Sequence, residues 1–258
     1  AALGNGLSFV IGALLLIVFW LSNQLSVKYS TIFDLDLDRV KEIFKVGLPA
    51  ALEQVIFQIG ITAFLILVAY YGTEAYAAYG IGVQILSFSF VIGFGFSIAG
   101  ATLVGQHLGA KNKNQAKRAG WGAMRLSIVS MTFFGVIIAT FAEPLARFMI
   151  DNDEVVRLTV IFIWLLGSMQ PLMAIEFSLG GALRGAGDTK TPLAITLTCL
   201  LFIRVFLAVI FFLLDASIEI IFSTLLADYI VKGFLYVSRF RSDKWMNVLK
   251  IKEVDQQP

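Results

Sequence analysis

The chain has 258 residues, 58% of them hydrophobic and only 15% charged, with a formal net charge of +2 and a mean hydropathy of +0.84. Soluble globular domains carry about 25% charged residues, so this chain is built for a solvent other than water. So small a net charge, scattered over loops rather than gathered in one stripe, excludes a nucleic-acid partner.

A helix needs about 20 mostly apolar residues to cross the hydrocarbon core of a bilayer. Seven stretches qualify, at about 3–22, 47–71, 75–109, 119–142, 157–181, 192–214 and 217–238. The first lacks an initiator Met and a basic flank, unlike a secretory signal. With the odd number of spans, this predicts a piece of something longer. The basic residues between spans alternate. The first loop holds Lys28, Arg39, Lys41 and Lys45; the third holds Lys111, Lys113, Lys117 and Arg118; the fifth holds Arg184 and Lys190. The tail holds Arg239, Arg241, Lys244, Lys250 and Lys252, and the even loops have only Arg147 and Arg157. Excess Lys and Arg mark the cytoplasmic side, which puts the N-terminus outside and the tail in the cytoplasm. The expected fold class is an all-α integral membrane protein, a six-helix lobe preceded by one transmembrane helix.

Loop 23–46 is the one real linker. Asp34, Asp36 and Asp38 alternate like the opening of an EF-hand, but that loop needs Gly at its sixth position and Glu at its twelfth. Here those are Arg39 and Lys45, so no calcium site is expected. Asp38 reads as the N-cap of a short surface helix, 39–46, with Val40, Ile43 and Phe44 on one face. It leads into the second span, whose first turn suits Pro49. The third span is rich in small residues, and Ala101, Gly105 and Gly109 at four-residue spacing predict close helix packing. Cys199 lies in the sixth span and reads as a small buried apolar residue. Gly181 to Lys190 lacks the Gly-Lys-Ser/Thr ending of a phosphate loop. The sole histidine, His107, reads as interfacial. No catalytic residues, metal ligands or cofactor site are expected, and the chain does not read as an enzyme.

Charges inside the spans carry the functional information, because each is costly in hydrocarbon and needs a reason. Glu53 sits about 9 Å into its helix from Gly47 at 1.5 Å per residue. Gln54 and Gln58 share its polar arc and Phe57 flanks it, which makes Glu53 a candidate proton or cation binder. The other reading is a glutamate paired to a base for helix docking. Glu176 lies towards the cytoplasmic end of the fifth span, with Gln170, Met173 and Phe177 on a neighbouring face. Pro171 interrupts that helix, as happens where a helix lines a cavity. Phe57 and Phe177 could face an organic cation. Asp228 and Lys232, four residues apart, read as a structural pair in which Lys232 snorkels. Arg204 needs a carboxylate from another helix, with Glu176 and Glu53 both open.

Three segments carry a resemblance: Gly47-Leu-Pro-Ala-Ala-Leu-Glu-Gln54; Gly100-Ala-Thr-Leu-Val-Gly-Gln-His-Leu-Gly109 with its basic loop; and Gly181-Ala-Leu-Arg-Gly-Ala-Gly-Asp-Thr-Lys-Thr-Pro192. In this order, with spans between, they resemble the multidrug and toxic compound extrusion (MATE) family. The resemblance implies twelve spans in two lobes. Residues 1–22 would then be the last helix of the N-terminal lobe, 23–46 the linker, 47–240 the C-terminal lobe and 241–258 a cytoplasmic tail. It implies export of organic cations in exchange for H⁺ or Na⁺ by alternating access, from a plasma membrane (a bacterial inner membrane). Glu53 matches the family's acidic residue in the first helix of this lobe. A second acidic position falls on Met173, and Glu176 would substitute for it. Candidate cation-coupling residues are therefore Glu53 and Glu176, and candidate substrate-binding residues are Gln54, Phe57, Gln58, Gln170, Met173 and Phe177. Arg204, Asp228 and Lys232 would be structural charges. The expected partners are membrane lipid, small cationic substrates and the N-terminal lobe. The alternative is a flippase for a lipid or lipid-linked oligosaccharide, with Arg204 facing an anionic headgroup.

Overall fold

The computed structural model describes residues 2–22 and 37–248, and all regular structure among them is helical. Asp34, Asp36, Lys28, Lys250 and Lys252 lie outside the described residues, as does most of the expected linker and tail. The chain divides into two compact units, Ala1–Ile43 and Phe44–Pro258. The first contains α1 (Ala2–Leu21), whose described side chains are exposed and apolar on every side; its apolar part, Gly6–Leu21, is short for a full crossing.

The second unit contains five helices long and apolar enough to cross a membrane, plus one bent pair that makes a sixth span. α2 runs Leu37–Ala69 without a break. The expected separate surface helix 39–46 is therefore its first turns, and Pro49 sits inside a continuous helix rather than at a new start. Proline removes one backbone donor, and the turns around Pro49 carry the helix through that single missing bond. α3 (Thr73–Gly109) follows a tight turn in which Gly72 has φ of 108°, a left-handed conformation that suits glycine. α4 (Lys113–Thr140) is N-capped by Asn112, whose side chain accepts from the Gln115 amide at 3.1 Å.

A short amphipathic helix, α5 (Ala142–Met149), turns the chain into α6 (Asp153–Ser168). Asn152 caps α6 by accepting from the Glu154 and Val155 amides at 3.0 and 3.1 Å, and Asp153 and Glu154 favour the positive end of its dipole. α7 (Gln170–Gly185) starts at once with Pro171 in its first turn and leaves α6 at 54°. The fifth span is thus broken where the sequence placed the interruption. The sixth span is also irregular: α8 (Lys190–Leu197), a π-helical stretch Thr198–Val205, then α9 (Phe206–Leu213). Nothing in the residue pattern announced the π segment. The last span is α10 (Ile218–Arg241), followed by a 3-10 turn at Lys244–Asn247.

Three apolar clusters lie between these helices. Phe64, Phe162, Ile163, Ile221 and Phe222 fill the half next to the even loops. Leu183, Cys199, Tyr236, Phe240 and Trp245 fill the half next to the basic loops. Met131, Met169 and Met173 join them at the bend of the fifth span. The closest packing is between α3 and α7. A Cβ on Gly181 would fall 2.2 Å from the Ser97 carbonyl oxygen, and one on Gly185 would fall 2.1 Å from that of Ala101. The small-residue spacing in α3 does mark a close approach at Ala101 and Gly105, but Gly109 faces open space.

The basic residues segregate as the sequence requires. At the even-loop end, Arg147 binds Glu143 and Asp153, each at 2.9 Å, while Arg157 binds Glu154 at 2.7 Å and Glu219 at 3.1 Å. The two bases there are fully offset by acids, so the net positive charge sits at the opposite face, which reads as cytoplasmic.

Candidate functional site

The intramembrane charges assemble into two linked groups between the apolar clusters. Glu53 on α2 accepts from Arg184 Nη1 at 3.0 Å and from Thr196 Oγ1 at 3.4 Å. Arg184 also donates to Ser97 Oγ at 3.4 Å. The pair ties α2 to α7, α8 and α3. It is not sealed: the Glu53 side chain is 13% exposed and that of Arg184 is 33% exposed. Arg184 stands in the segment Gly181 to Pro192 but was not singled out as a site residue. The signal was present, since it is a cation one turn from a predicted intramembrane helix end, four residues from the small Gly180.

The second group runs across α7, α10 and the π segment. Lys232 Nζ lies 3.2 Å from Glu176 Oε1 and 3.4 Å from Asp228 Oδ2, and Asp228 Oδ2 also accepts a hydrogen bond from Arg204 Nη2. Asp228, Lys232 and Arg204 are 0%, 1% and 4% exposed, whereas Glu176 is 20% exposed. The Tyr229 ring lies 5.3 Å from the Arg204 guanidinium and 5.4 Å from Lys232 Nζ, adding cation–π attraction on a desolvated face. The expected Asp228–Lys232 pair is present. Two expectations are corrected. Arg204 takes its carboxylate from Asp228 rather than Glu176 or Glu53, because the π-helical register turns it towards α10. Lys232 does not snorkel to water, because Glu176 and Asp228 hold it inside.

The two groups together hold three carboxylates (Glu53, Glu176, Asp228) and three bases (Arg184, Lys232, Arg204). Their formal charge balances, as a desolvated cluster requires. Among the described residues, no group of three His, Cys, Asp or Glu side chains is placed to hold a metal ion.

The candidate substrate residues separate. Gln54 and Gln58 are exposed on α2 and Phe57 is half-buried beside them. Gln54, Gln58 and Thr62 form a polar stripe at four-residue spacing on α2. Gln170 and Met173 point into the core instead. Gln170 is fully buried against Gly135 with its amide unpartnered, and Met173 packs with Met131 and Met169. Phe177 sits in a notch at Gly93 with its ring centroid 5.0 Å from that of Phe94. A further ion pair had no place in the expectations: Asp188, in the turn after α7, accepts from Arg239 Nε and Nη2 at 2.8 and 2.6 Å and from Thr191. It locks that turn to the end of α10.

This arrangement can be compared with known proteins. Residues 49–210 match the model of the MatE family. A probable multidrug resistance protein NorM of Thermotoga maritima is 36% identical over 214 residues, covering 80% of this chain and 44% of that protein. A probable multidrug resistance protein NorM of Mannheimia succiniciproducens is 30% identical over 161 residues, covering 62% of this chain and 34% of that protein. Among solved structures, a MATE protein in complex with MaL6 superposes with a TM-score of 0.82 at 19% identity, over 92% of this chain and 55% of that one. A transporter of the MOP superfamily from Pyrococcus furiosus gives 0.73 at 18%, over 84% and 48%. The chain thus spans about half the length of these relatives. The family model covers most of the helical unit, and the matched region contains Glu53, Glu176, Arg184 and Arg204; this multi-pass membrane chain belongs to the MatE family.

Proposed function

We propose that the chain is the C-terminal lobe, with one preceding helix, of a multidrug efflux antiporter that exports organic cations in exchange for H⁺ by alternating access. The observation that carries this is the partly exposed Glu53–Arg184 pair, in contrast to the buried Arg204, Asp228 and Lys232. A carboxylate kept in a membrane-spanning helix beside exposed glutamines can exchange its guanidinium partner for a proton. Protonation would free Arg184 and loosen the tie between α2 and α7. A Na⁺ ion needs several oxygen ligands, and among the described residues no group of three Asp or Glu side chains is placed to hold a metal ion. Gln54, Phe57 and Gln58, next to Glu53, form the face offered to a cationic substrate. The flippase reading loses the residue it relied on, because Arg204 is 4% exposed and bound to Asp228.

The test uses the full-length transporter in proteoliposomes loaded with a fluorescent organic cation. Glu53→Gln should reduce proton-gradient-driven transport by more than tenfold with protein level and helical content unchanged. Transport at the wild-type rate, or drive by sodium alone, would overturn this reading.

A further inference from the structure

Besides the charge layer, the molecule presents a basic cleft of about 520 Å³ at the start of α4, lined by Asn114, Lys117, Arg118, Trp121, Gly122 and Arg125. These positions recur every three or four residues and so share one helix face. We propose that this cleft binds the phosphate of an anionic glycerophospholipid, with the lipid's acyl chain laid along the same face of α4.

The charge inventory points there first. Arg147, Arg157, Arg184, Arg204 and Arg239 each hold a carboxylate. Within the cleft, Lys117 is already paired with Asp243 at 2.7 Å. Arg118 and Arg125 are exposed and have no ion pair among the described residues. Arg125 stands twelve residues after the first residue of α4, about 18 Å along the axis, inside the apolar stretch. An unpaired charge at that depth calls for a counter-ion. Helical side chains lean towards the N-terminus of their helix, which for α4 is the basic face. Arg125 therefore reaches back towards Trp121 and Arg118, so the two guanidiniums converge on one cleft despite two turns of separation.

The surroundings select an amphiphile over a soluble anion. Trp121 is fixed edge-on to Phe240 with centroids 5.2 Å apart, and Phe240 stacks on Trp245 at 4.5 Å. This makes a rigid aromatic wall of the kind that sits at headgroup level. A Cβ on Gly122 would meet nothing within 4 Å, so the cleft is open beside that wall. Beyond Arg125 the same face continues as exposed Leu126, Val129 and Phe133. Two free cations above an aliphatic strip match a phosphate above its acyl chain.

The measurement is native mass spectrometry of the full-length transporter in mild detergent, titrated with phosphatidylglycerol and with phosphatidylcholine of the same chains. Wild type should prefer phosphatidylglycerol. Arg118→Gln/Arg125→Gln should lose on the order of 30-fold in its affinity and leave phosphatidylcholine unchanged, while Arg147→Gln at the other end should change neither. Loss of the bound lipid to millimolar inorganic phosphate would make this a soluble-anion site and overturn the proposal, as would an unchanged preference in the double variant. Should that variant not be recovered folded, a photoactivatable phosphatidylglycerol with wild type in vesicles decides: labelling within 114–133 supports the site, and labelling elsewhere alone sinks it.

Discussion

Asp228→Asn is the substitution the charge layer can least absorb. Asp228 is 0% exposed and is the shared acceptor of Arg204 and Lys232, themselves 4% and 1% exposed. Neutralising it leaves two buried cations with one carboxylate between them, Glu176, which touches only Lys232. Removing one partner of a buried pair costs about 3–5 kcal/mol. For a unit of this size each kcal/mol shifts the melting temperature by about 2–4 °C, so the expected loss is about 6–20 °C. The other members of the layer should be milder. Arg204→Met leaves Asp228 paired to Lys232, and Lys232→Met leaves Asp228 on Arg204 and the partly hydrated Glu176 to water. The double replacement Asp228→Leu/Arg204→Met removes charge of both signs, and buried pairs replaced by apolar residues are often neutral; it should recover at least half the loss. Thermal unfolding of the four purified variants, followed by helical circular dichroism, gives the ranking. If Asp228→Asn melts within about 2 °C of wild type, or if the double variant is no more stable than Asp228→Asn, the reasoning fails.

Three further expectations follow from the packing. Gly185→Ala should destabilise by about 3 kcal/mol, because its Cβ would press on the Ala101 backbone, whereas Gly95→Ala, which meets nothing within 4 Å inside a helix, should not lower the melting temperature. Gln170→Met should raise stability, since a buried unpartnered amide costs about 1–3 kcal/mol and the new side chain joins Met131 and Met169; a fall in stability would show that the amide has a partner. The charge-swapped double variant Asp188→Arg/Arg239→Asp should restore most of the expression lost in either single change, read as detergent-extracted yield, because both groups sit in one turn-to-helix lock.

The spans and their number from 47 onward were legible because bilayer thickness acts on long windows of residues. The break near Pro171 was legible for a local reason, the missing donor and the steric demand of the ring. The continuous helix through Pro49 was not, because one proline removes a single backbone donor from a helix of 33 residues. The π segment at Thr198–Val205 has no residue that demands it, and the contact it accompanies, Arg204 to Asp228, joins residues 24 apart in the chain. The same limit explains the partner of Glu53. Its depth and polar neighbours marked it, but Arg184 is 131 residues away in the chain and comes beside it only in the folded lobe. Gln170, Met173 and Phe177 were grouped by helical position on the side of Glu176. In the folded lobe Met173 packs with Met131 and Met169, and Gln170 is buried against Gly135.

That Glu53 has a basic partner does not by itself return it to a docking role. On the proposed function, what matters is which link in the layer can open at low cost. Desolvated pairs are expensive to separate, because each ion is left without water or partner. Arg204, Asp228 and Lys232 form such a sealed knot and hold the π segment to α10 throughout. Glu176 and Glu53 occupy the two hydrated edges of the layer, at 20% and 13% exposure, and Arg184 is the most exposed member at 33%. These edges are the exposed part of the cluster, so on the proposed function opening them should cost less than separating the buried pairs. The layer thus divides into an anchor in the last two spans and a switchable rim shared by α2 and α7. A helix that must move against its neighbours during transport would be expected to hold its exchangeable charge at such a rim, which makes α2, with Glu53 and its exposed glutamines, the moving part and α10 the frame.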